Sequence, residues 1–460
     1  MFSDFYDYML SVLDKTEKGP IVEIDEFDKQ FIYLVIKDLI GKYDISWDPE
    51  VYVPADDHLA DRLFQAGMEL AGKTGVLCLD SSRRMIWSRD EVEYALTSTP
   101  SIVFLGEKKD QCAISKRSPE DDSPITVAGG AIGIPVPEEL FLPVMVSIIQ
   151  EPVIDIVDNA SLLTTHKRPI RAESPWEVVA CWQEVDLSFE AARIAGRPGI
   201  AIGCAENSPS EIGELATFNR GGFRETDWHH VGMISELKTS YSDLIKAVQY
   251  TRTGVVSQGF YNPILGGYAG GKEGIAIASV AGLILMRACY GVQTLNTGPS
   301  HPSLACNTHP LMLAAQNLAF QALSRNTNLL VSNMVRPVAG PGTKEILYEI
   351  AAHTIGAVAS GISYTYGVHS AMGNHPSHTS GLESRFMGEI AHASIGLSRR
   401  VANDYVRGLV DEYADTLEMK LIGKPFPEIY DLKTLQPKRD WFQMYEEVKE
   451  EAIGWGLPLD

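Results

Sequence analysis

The sequence is poor in basic residues, and its six cysteines include no C-x-x-C pair. Lys and Arg number 39 against 60 Asp and Glu, which gives a formal net charge of −21 over 460 residues. This shortage of positive charge argues against nucleic acid or an anionic membrane as a partner, since both reward clustered Lys and Arg. The scattered cysteines indicate no disulfide framework, so we expect a reducing, cytoplasmic location.

The sequence also lacks an apolar run long enough to cross a bilayer. The longest run, residues 274–286, stops at Arg287 and predicts a buried helix instead. The first residues are acidic and have no cationic n-region typical of a secretory signal. We therefore expect a soluble protein.

From about residue 125 onward, short apolar runs alternate with longer stretches of helical spacing. The short runs lie at 125–128, 154–157, 199–202, 231–234, 254–257, 292–295, 328–331 and 362–365. Helical spacing separates most of them, for example at 177–196, 242–252, 272–289, 309–325 and 343–359. Eight strands that alternate with helices predict parallel pairing, right-handed crossovers and a closed (β/α)8 TIM barrel of the α/β class. An open doubly wound sheet is the alternative, but no G-x-G-x-x-G follows the first run.

Helical patterns flank the predicted barrel at both ends. They occur at 25–43, 57–74, 89–96, 382–417 and 438–452. We therefore divide the chain into an N-terminal helical layer packed on the barrel at 1–120, the barrel at 121–420, and a C-terminal helical tail at 421–460.

Polar and aromatic side chains follow the predicted strands where barrel enzymes carry their active sites. In chain order they are Gly129, Gly130, Asp158, Asn159, Glu206, Glu236, Gln258, Phe260, Tyr261, Asn296, Thr297, Asn333, Arg336, Tyr366 and His369. Glu206 and Glu236 are the candidate acids and bases, because burial in a barrel raises the pKa of a carboxyl towards neutrality. The alternative is that one of them forms a structural ion pair with Arg336 or Arg224.

Histidines supply a candidate metal site. His375 and His378, in the loop that also carries His369, have a spacing that could hold Zn²⁺, with Cys306 or Glu383 as a third ligand. The alternative is a set of exposed loop histidines, and Pro376 between the two favours it. The histidine pair in Trp228-His229-His230 is open to the same two interpretations.

Seven stretches, in order along the chain, resemble one known family. They are Lys-Arg-Ser at 116–118, Ser-Pro-Trp-Glu-Val at 174–178, Ala-Gly-Arg-Pro-Gly at 195–199, Ser-Glu-Leu-Lys at 235–238, Pro-Ile-Leu-Gly-Gly-Tyr-Ala-Gly-Gly at 263–271, Ala-Gly-Pro at 339–341, and Leu-Glu-Ser-Arg-Phe-Met-Gly-Glu at 382–389. On these stretches the chain resembles the monomethylamine:corrinoid methyltransferases over about residues 20–450. The resemblance implies a homo-oligomeric barrel, typically a hexamer. It also implies transfer of a methyl group from a small methylated substrate to the Co(I) corrinoid (cobalamin) of a partner protein, with no tightly bound cofactor of its own.

The resemblance also implies a rebuilt site. Family members carry pyrrolysine after the third strand, and Glu206, Ser208, Ser210 and Gly213 as anchors place that position at Ile212. The family's glutamate of the fifth strand then falls on Phe260. Its glutamine and tyrosine after the seventh strand fall on Met334 and Arg336, and its glutamate after the fourth strand is retained as Glu236.

These replacements favour an N-methylated donor that already carries positive charge, quaternary or zwitterionic, used without pyrrolysine. Phe260, Tyr261, Tyr366 and Trp228 could face such a cation, a contact worth about 0.5–2 kcal/mol per ring, and Arg336 could clamp a carboxylate. Zinc-assisted transfer from another heteroatom donor and a catalytically silent ligand-binding barrel are the alternatives.

Overall fold

A ring of eight parallel strands forms the centre of the protein in a computed structural model, which describes residues 2, 4–203 and 205–459. The strands are β1 Thr126–Gly130, β2 Ile156–Asp158, β3 Ala201–Gly203, β4 His229–Met233, β5 Ser257–Tyr261, β6 Thr294–Thr297, β7 Leu330–Asn333 and β8 Tyr364–Gly367. Their order around the ring is β3-β2-β1-β8-β7-β6-β5-β4, and a parallel bridge between Gly203 and Trp228 closes it. The predicted (β/α)8 TIM barrel is confirmed. Cys204 lies outside the described residues, and the other five cysteines are free thiols.

Each strand is followed by a helix. They are α1 Glu138–Ile149, α2 Pro175–Ile194, α3 Glu211–Ala216, α4 Tyr241–Thr253, α5 Lys272–Tyr290, α6 Pro310–Asn326, α7 Glu345–Ala359 and α8 Gly381–Ala393. Ser240 begins α4 with a reciprocal capping box, and Gly254 ends it in the left-handed conformation (φ 74°). Helix α5 contains the long apolar run and is apolar enough to cross a membrane, but 94% of its apolar window is buried inside the fold. It is a core helix, as predicted.

Local chemistry explains where the observed elements differ from the predicted ones. Strand β5 begins at Ser257 rather than at residue 254, because Gly254 is the C-cap residue of helix α4. The helical stretch predicted at 382–417 is divided into α8 and a second helix, Arg399–Tyr413. Gly396 turns the chain between them (φ 74°), and the Ser398 side chain caps the second helix by accepting from the Val401 N–H.

The N-terminal layer contains more than helices. Its helices are Phe5–Lys18, Ile24–Glu26, the π-helical Phe27–Tyr33, Leu34–Lys42, Asp57–Thr74 and Arg89–Thr97. Two antiparallel hairpins accompany them, Val76–Cys78 with Arg83–Met85 and Ile102–Leu105 with Cys112–Ser115. The first hairpin also pairs with Lys238–Thr239 beyond β4, which ties the layer to the barrel.

The remaining elements are short or C-terminal. Two-residue strands occur at Pro135–Val136, Ser161–Leu162, Thr164–Thr165 and Arg168–Pro169, and 3-10 turns at Lys108–Asp110, Ala371–Gly373 and Ala414–Met419. The C-terminal tail contains Phe426–Ile429 and Arg439–Gly454.

Side chains alternate along each strand between the interior of the ring and the surrounding helices. Ala128, Ile156, Trp228 and Tyr364 belong to the cluster inside the ring. Val331, by contrast, packs with the outer helices. This alternation decides which residues reach the site.

Candidate functional site

Three titratable side chains from neighbouring strands meet at the C-terminal end of the ring. Asp158 ends β2, Glu206 lies three residues beyond β3, and His230 is the second residue of β4. His230 Nδ1 lies 3.5 Å from Glu206 Oε1 and 3.9 Å from Asp158 Oδ2. Across residues 2, 4–203 and 205–459, this is the one group of three His, Cys, Asp or Glu side chains close enough to share a metal ion.

The three side chains are largely removed from water. Asp158 is fully buried, His230 is 8% exposed, and the Glu206 side chain is 22% exposed. Burial raises the pKa of Asp158 and of Glu206 to about 7, and it lowers the pKa of the His230 imidazole. The Tyr366 hydroxyl donates a hydrogen bond to Asp158 Oδ2. The arrangement favours a bound proton or cation between the carboxyls.

A buried carboxylate on α2 holds this group in place. Glu184 Oε1 accepts from the Glu206 N–H and from Asn159 Nδ2, each at 2.9 Å. Glu184 Oε2 accepts from the backbone and side-chain nitrogens of Asn207, again at 2.9 Å. Glu184 therefore fixes both the loop that carries Glu206 and the residue after Asp158. Glu184 was not among the predicted site residues, although a glutamate on the barrel-facing side of a helix was a usable signal.

Aromatic rings lie beside and below the group. The Trp228 ring meets the rings of His230, Tyr364 and Tyr366 edge-on, at centroid distances of 5.3, 5.2 and 5.6 Å. Met334 belongs to the same interior cluster. The structure therefore places Tyr366 and Met334, two of the predicted site residues, inside the ring.

The fifth strand contributes two further interior side chains. Phe260 is half-buried against Gly232, where an added Cβ would lie 2.7 Å from the ring, and Gln258 Nε2 donates to the Tyr364 hydroxyl at 3.1 Å. Asn296, the register partner of Phe260, is fully buried. Neither polar atom of its amide has a hydrogen-bond partner among the described residues. A free buried amide marks a place for water or a ligand.

Arg336 and His369 follow β7 and β8 at the rim. Arg336 Nη2 donates to Gly298 O at 3.2 Å and to Ser300 Oγ at 3.1 Å, while its Nε is buried without a partner. Within the described chain no carboxylate forms an ion pair with Arg336. Burial, and then the charge of Arg336, lower the pKa of His369 to about 3, so its imidazole is neutral.

The alternative of a structural ion pair between an arginine and Glu206 or Glu236 is therefore wrong for the described residues. Arg224 pairs instead with Asp227, at 2.6 Å.

Four predicted site residues lie elsewhere. Tyr261 packs outside the ring against Gly282 of α5, and Asn333 also points outward, because each follows an inward-facing residue by one position. Ile212 is 38% exposed on α3 and lies outside the interior cluster. Glu236 is buried under the loop after β5, where its Oε1 accepts from the Ile264 N–H at 2.8 Å and burial raises its pKa.

The predicted histidine–cysteine metal set is not assembled among the described residues. The rings of His375 and His378 lie 5.6 Å apart. Cys306, however, is fully buried, with its thiol pKa raised by burial to about 12, and Glu383 bonds the start of its own helix at Ser380. His375 and His378 therefore lie near each other, but neither Cys306 nor Glu383 joins them as a third ligand.

His353, which the outward-pointing Asn333 contacts, makes the stability of the fold depend on pH. Asn333 Nδ2 lies 3.0 Å from His353 Nδ1, and His353 Nε2 lies 3.0 Å from Gln316 Oε1. Burial lowers the pKa of His353 to about 3. Between about pH 6.5 and 3 the unfolded chain therefore binds a proton at this residue that the folded chain does not. The free energy of unfolding should thus fall on acidification, by about 2 kcal/mol at pH 5 from this residue.

Urea unfolding of the wild type and of His353→Gln at pH 7.5 and pH 5 measures this contribution as the difference between the two pH dependences. Comparison with the variant is needed because Glu349, whose pKa burial raises to about 7, acts with the opposite sign. His392→Gln, at an exposed position, is the control. Equal pH dependences in all three proteins would contradict the assignment.

The fold and the polar group at the strand ends define a TIM-barrel enzyme. The profile of the family described as monomethylamine methyltransferase MtmB matches residues 6–457. Monomethylamine methyltransferase MtmB2 of Methanosarcina acetivorans is 32% identical over 454 residues, covering 99% of this chain and 98% of that protein. MtmB of Methanosarcina mazei is 32% identical over 455 residues with the same coverage. The chain therefore belongs to the MtmB family and is a methyltransferase.

Solved structures agree with this assignment. The crystal structure of the Methanosarcina barkeri monomethylamine methyltransferase superposes with a TM-score of 0.95 at 30% identity, covering 98% of each chain. The crystal structure of a hydroxylamine complex of MtmB gives the same values.

Proposed function

We propose that the protein transfers a methyl group from a small N-methylated donor, quaternary or zwitterionic, to the Co(I) corrinoid of a partner protein, without pyrrolysine. The partner's corrinoid would supply the nucleophile that accepts the methyl group. The barrel would bind the donor, orient it and exclude water. We also propose a cytoplasmic homo-oligomer, a hexamer by family resemblance.

The unpaired cation at the mouth is the observation that carries the proposal. Arg336 is half-buried, has a free Nε and lacks a carboxylate partner among the described residues, although the protein carries a net charge of −21. Leaving a partly buried charge without a counter-ion is unfavourable. The carboxylate of a zwitterionic donor would supply the missing anion, and a guanidinium matches its geometry.

The aromatic interior suits the other end of such a donor. Phe260, Trp228 and Tyr366 line the ring below the mouth. A methylated ammonium gains about 0.5–2 kcal/mol from each ring face that it contacts. A quaternary nitrogen leaves with the C–N electron pair and needs no proton, so the barrel has only to bind and aim it.

A second candidate function is metal-assisted transfer from a donor whose heteroatom keeps a lone pair. The group of Asp158, Glu206 and His230 favours it, because a Lewis acid bound there would take the place of a proton on the leaving heteroatom.

A donor panel tests the proposal. The purified protein is mixed with free Co(I) cobalamin, and loss of the Co(I) absorbance is followed with a trimethylated amino acid, tetramethylammonium, trimethylamine and monomethylamine as donors. We expect the fastest transfer from the trimethylated amino acid. Transfer from monomethylamine alone would overturn the proposal, and no transfer from any donor would favour a silent ligand-binding barrel.

A further inference from the structure

The spacing of Asp158, Glu206 and His230 matches that of metal ligands. A tetrahedral Zn²⁺ ion with bonds of about 2.0–2.1 Å separates its ligand atoms by roughly 3.4 Å. His230 Nδ1 lies 3.5 Å from Glu206 Oε1 and 3.9 Å from Asp158 Oδ2. All three ligand atoms lie within 4.8 Å of one another, so side-chain rotations would bring them onto one ion.

Hydrogen bonding within the group is incomplete. Asp158 Oδ1 is buried and has no hydrogen-bond partner among the described residues. His230 Nε2 is also buried without such a partner, but it lies across the ring from Nδ1, so a metal bound at Nδ1 would leave Nε2 to water or another ligand. Unpaired polar atoms at this depth are unfavourable unless a ligand or water completes them. Gly203 lets the group pack directly against the β3 backbone, because an added Cβ would lie 2.9 Å from Asp158 Oδ1 and 3.1 Å from His230 Cε1. Glu206 packs against Gly133 in the same way, since its Oε2 would lie 2.5 Å from an added Cβ.

The two carboxyl groups of Asp158 and Glu206 also favour a bound cation. Among the described residues, the ion-pair partner of both Asp158 and Glu206 is His230, and no Lys or Arg nitrogen lies within 4 Å of either carboxylate. A divalent ion would balance two buried carboxylates that otherwise retain protons. The supporting shell resembles that of metal sites, since Tyr366 bonds Asp158 and Glu184 fixes the Glu206 loop.

We propose that Asp158, Glu206 and His230 bind a divalent first-row transition-metal ion, with Zn²⁺ as the best fit. One imidazole with two carboxylates suits Zn²⁺ better than Mg²⁺ or Ca²⁺, which prefer oxygen ligands alone. Three protein ligands would leave a fourth coordination position for water or a donor atom. The site is defined by binding alone, so it does not depend on the identity of the methyl donor.

Metal binding is tested on the full-length protein without donor or corrinoid. The protein is purified without chelator and its metal content measured by mass spectrometry, and the chelator-treated protein is then titrated with Zn²⁺ in a calorimeter, with Mn²⁺ and Mg²⁺ in parallel. We expect about one Zn²⁺ per chain, binding at least tenfold tighter than Mg²⁺, and a higher melting temperature in its presence. Glu206→Gln and His230→Ala should each weaken Zn²⁺ binding at least tenfold.

The double variant His375→Ala/His378→Ala is the matched control and should bind Zn²⁺ as the wild type does. Circular dichroism establishes that each variant is folded, and Glu206→Gln, at a partly exposed loop position, tests the site if His230→Ala does not fold. Absence of Zn²⁺ binding by the wild type would overturn the proposal, as would unchanged binding in Glu206→Gln. Because these measurements involve no methyl transfer, their failure would leave the proposed function intact, and failure of the donor panel would leave the metal site intact.

Discussion

Arg336→Met is expected to lower kcat/KM for a carboxylate-bearing methyl donor by roughly 10- to 100-fold. The substitution retains an unbranched aliphatic stem and removes the guanidinium that we assign to the donor's carboxylate. A hydrogen bond to a charged group contributes about 1.5–3 kcal/mol, which corresponds to this range. Kinetics of methyl transfer to Co(I) cobalamin, measured with a trimethylated amino acid and with tetramethylammonium, give the comparison.

The second donor is the internal control, because tetramethylammonium has no carboxylate and should lose less than about threefold. Arg336→Lys should recover only part of the activity, since an ammonium does not reproduce the bidentate fork. Arg252→Met removes an exposed arginine in the last turn of α4 and should leave both donors unaffected. An equal loss of kcat/KM for both donors in Arg336→Met would show that Arg336 supports the structure of the loops around it and does not bind the donor's carboxylate.

Glu184→Gln is expected to lower the free energy of unfolding by about 2–6 kcal/mol although it changes the size of the side chain very little. Each carboxylate oxygen accepts two hydrogen bonds from nitrogen donors. Whichever way the new amide is turned, its NH₂ group faces two N–H donors that then remain unpaired, at about 1–3 kcal/mol each. Urea unfolding followed by circular dichroism measures the loss.

Asp186→Asn is the matched control. It makes the same chemical change on the same helix, at an exposed position two residues away, and should alter stability by less than about 0.5 kcal/mol. If both variants unfold at the same urea concentration, Glu184 does not hold the loop of Glu206 as the structure indicates.

The alternation of apolar runs and helical stretches was sufficient to predict the barrel, because eight strands that need helical crossovers have few other ways to bury both faces. It did not set the register of the strands. The apolar pair Val255-Val256 suggested a strand start at 254, three residues before β5 begins at Ser257. Val255 is a buried helix-to-strand connection, and apolar character alone does not distinguish such a connection from a strand.

Strand register explains the two incorrect site residues that lie on strands, Tyr261 and Asn333. Phe260 and Gln258 face inward, whereas Tyr261, one position on, faces α5. The same single-residue step places Asn333 against His353. His230 was noted in the sequence only as half of a weak histidine pair, and its inward direction follows from the phase it shares with Trp228 and Gly232. Its meeting with Asp158 and Glu206 then follows from the predicted barrel, in which β2, β3 and β4 are neighbours.

The covering of helix α5 has a consequence for how the chain is made. This helix is hydrophobic around nearly its whole circumference, and the helix Asp57–Thr74 closes one side of it, with Gly67 directly against Val280. The ribosome completes Asp57–Thr74 some two hundred residues before it completes α5, so the cover exists before the surface that needs it. A shortened protein that begins at the first barrel strand would lack this cover and would expose an apolar face of α5. We therefore expect it to aggregate.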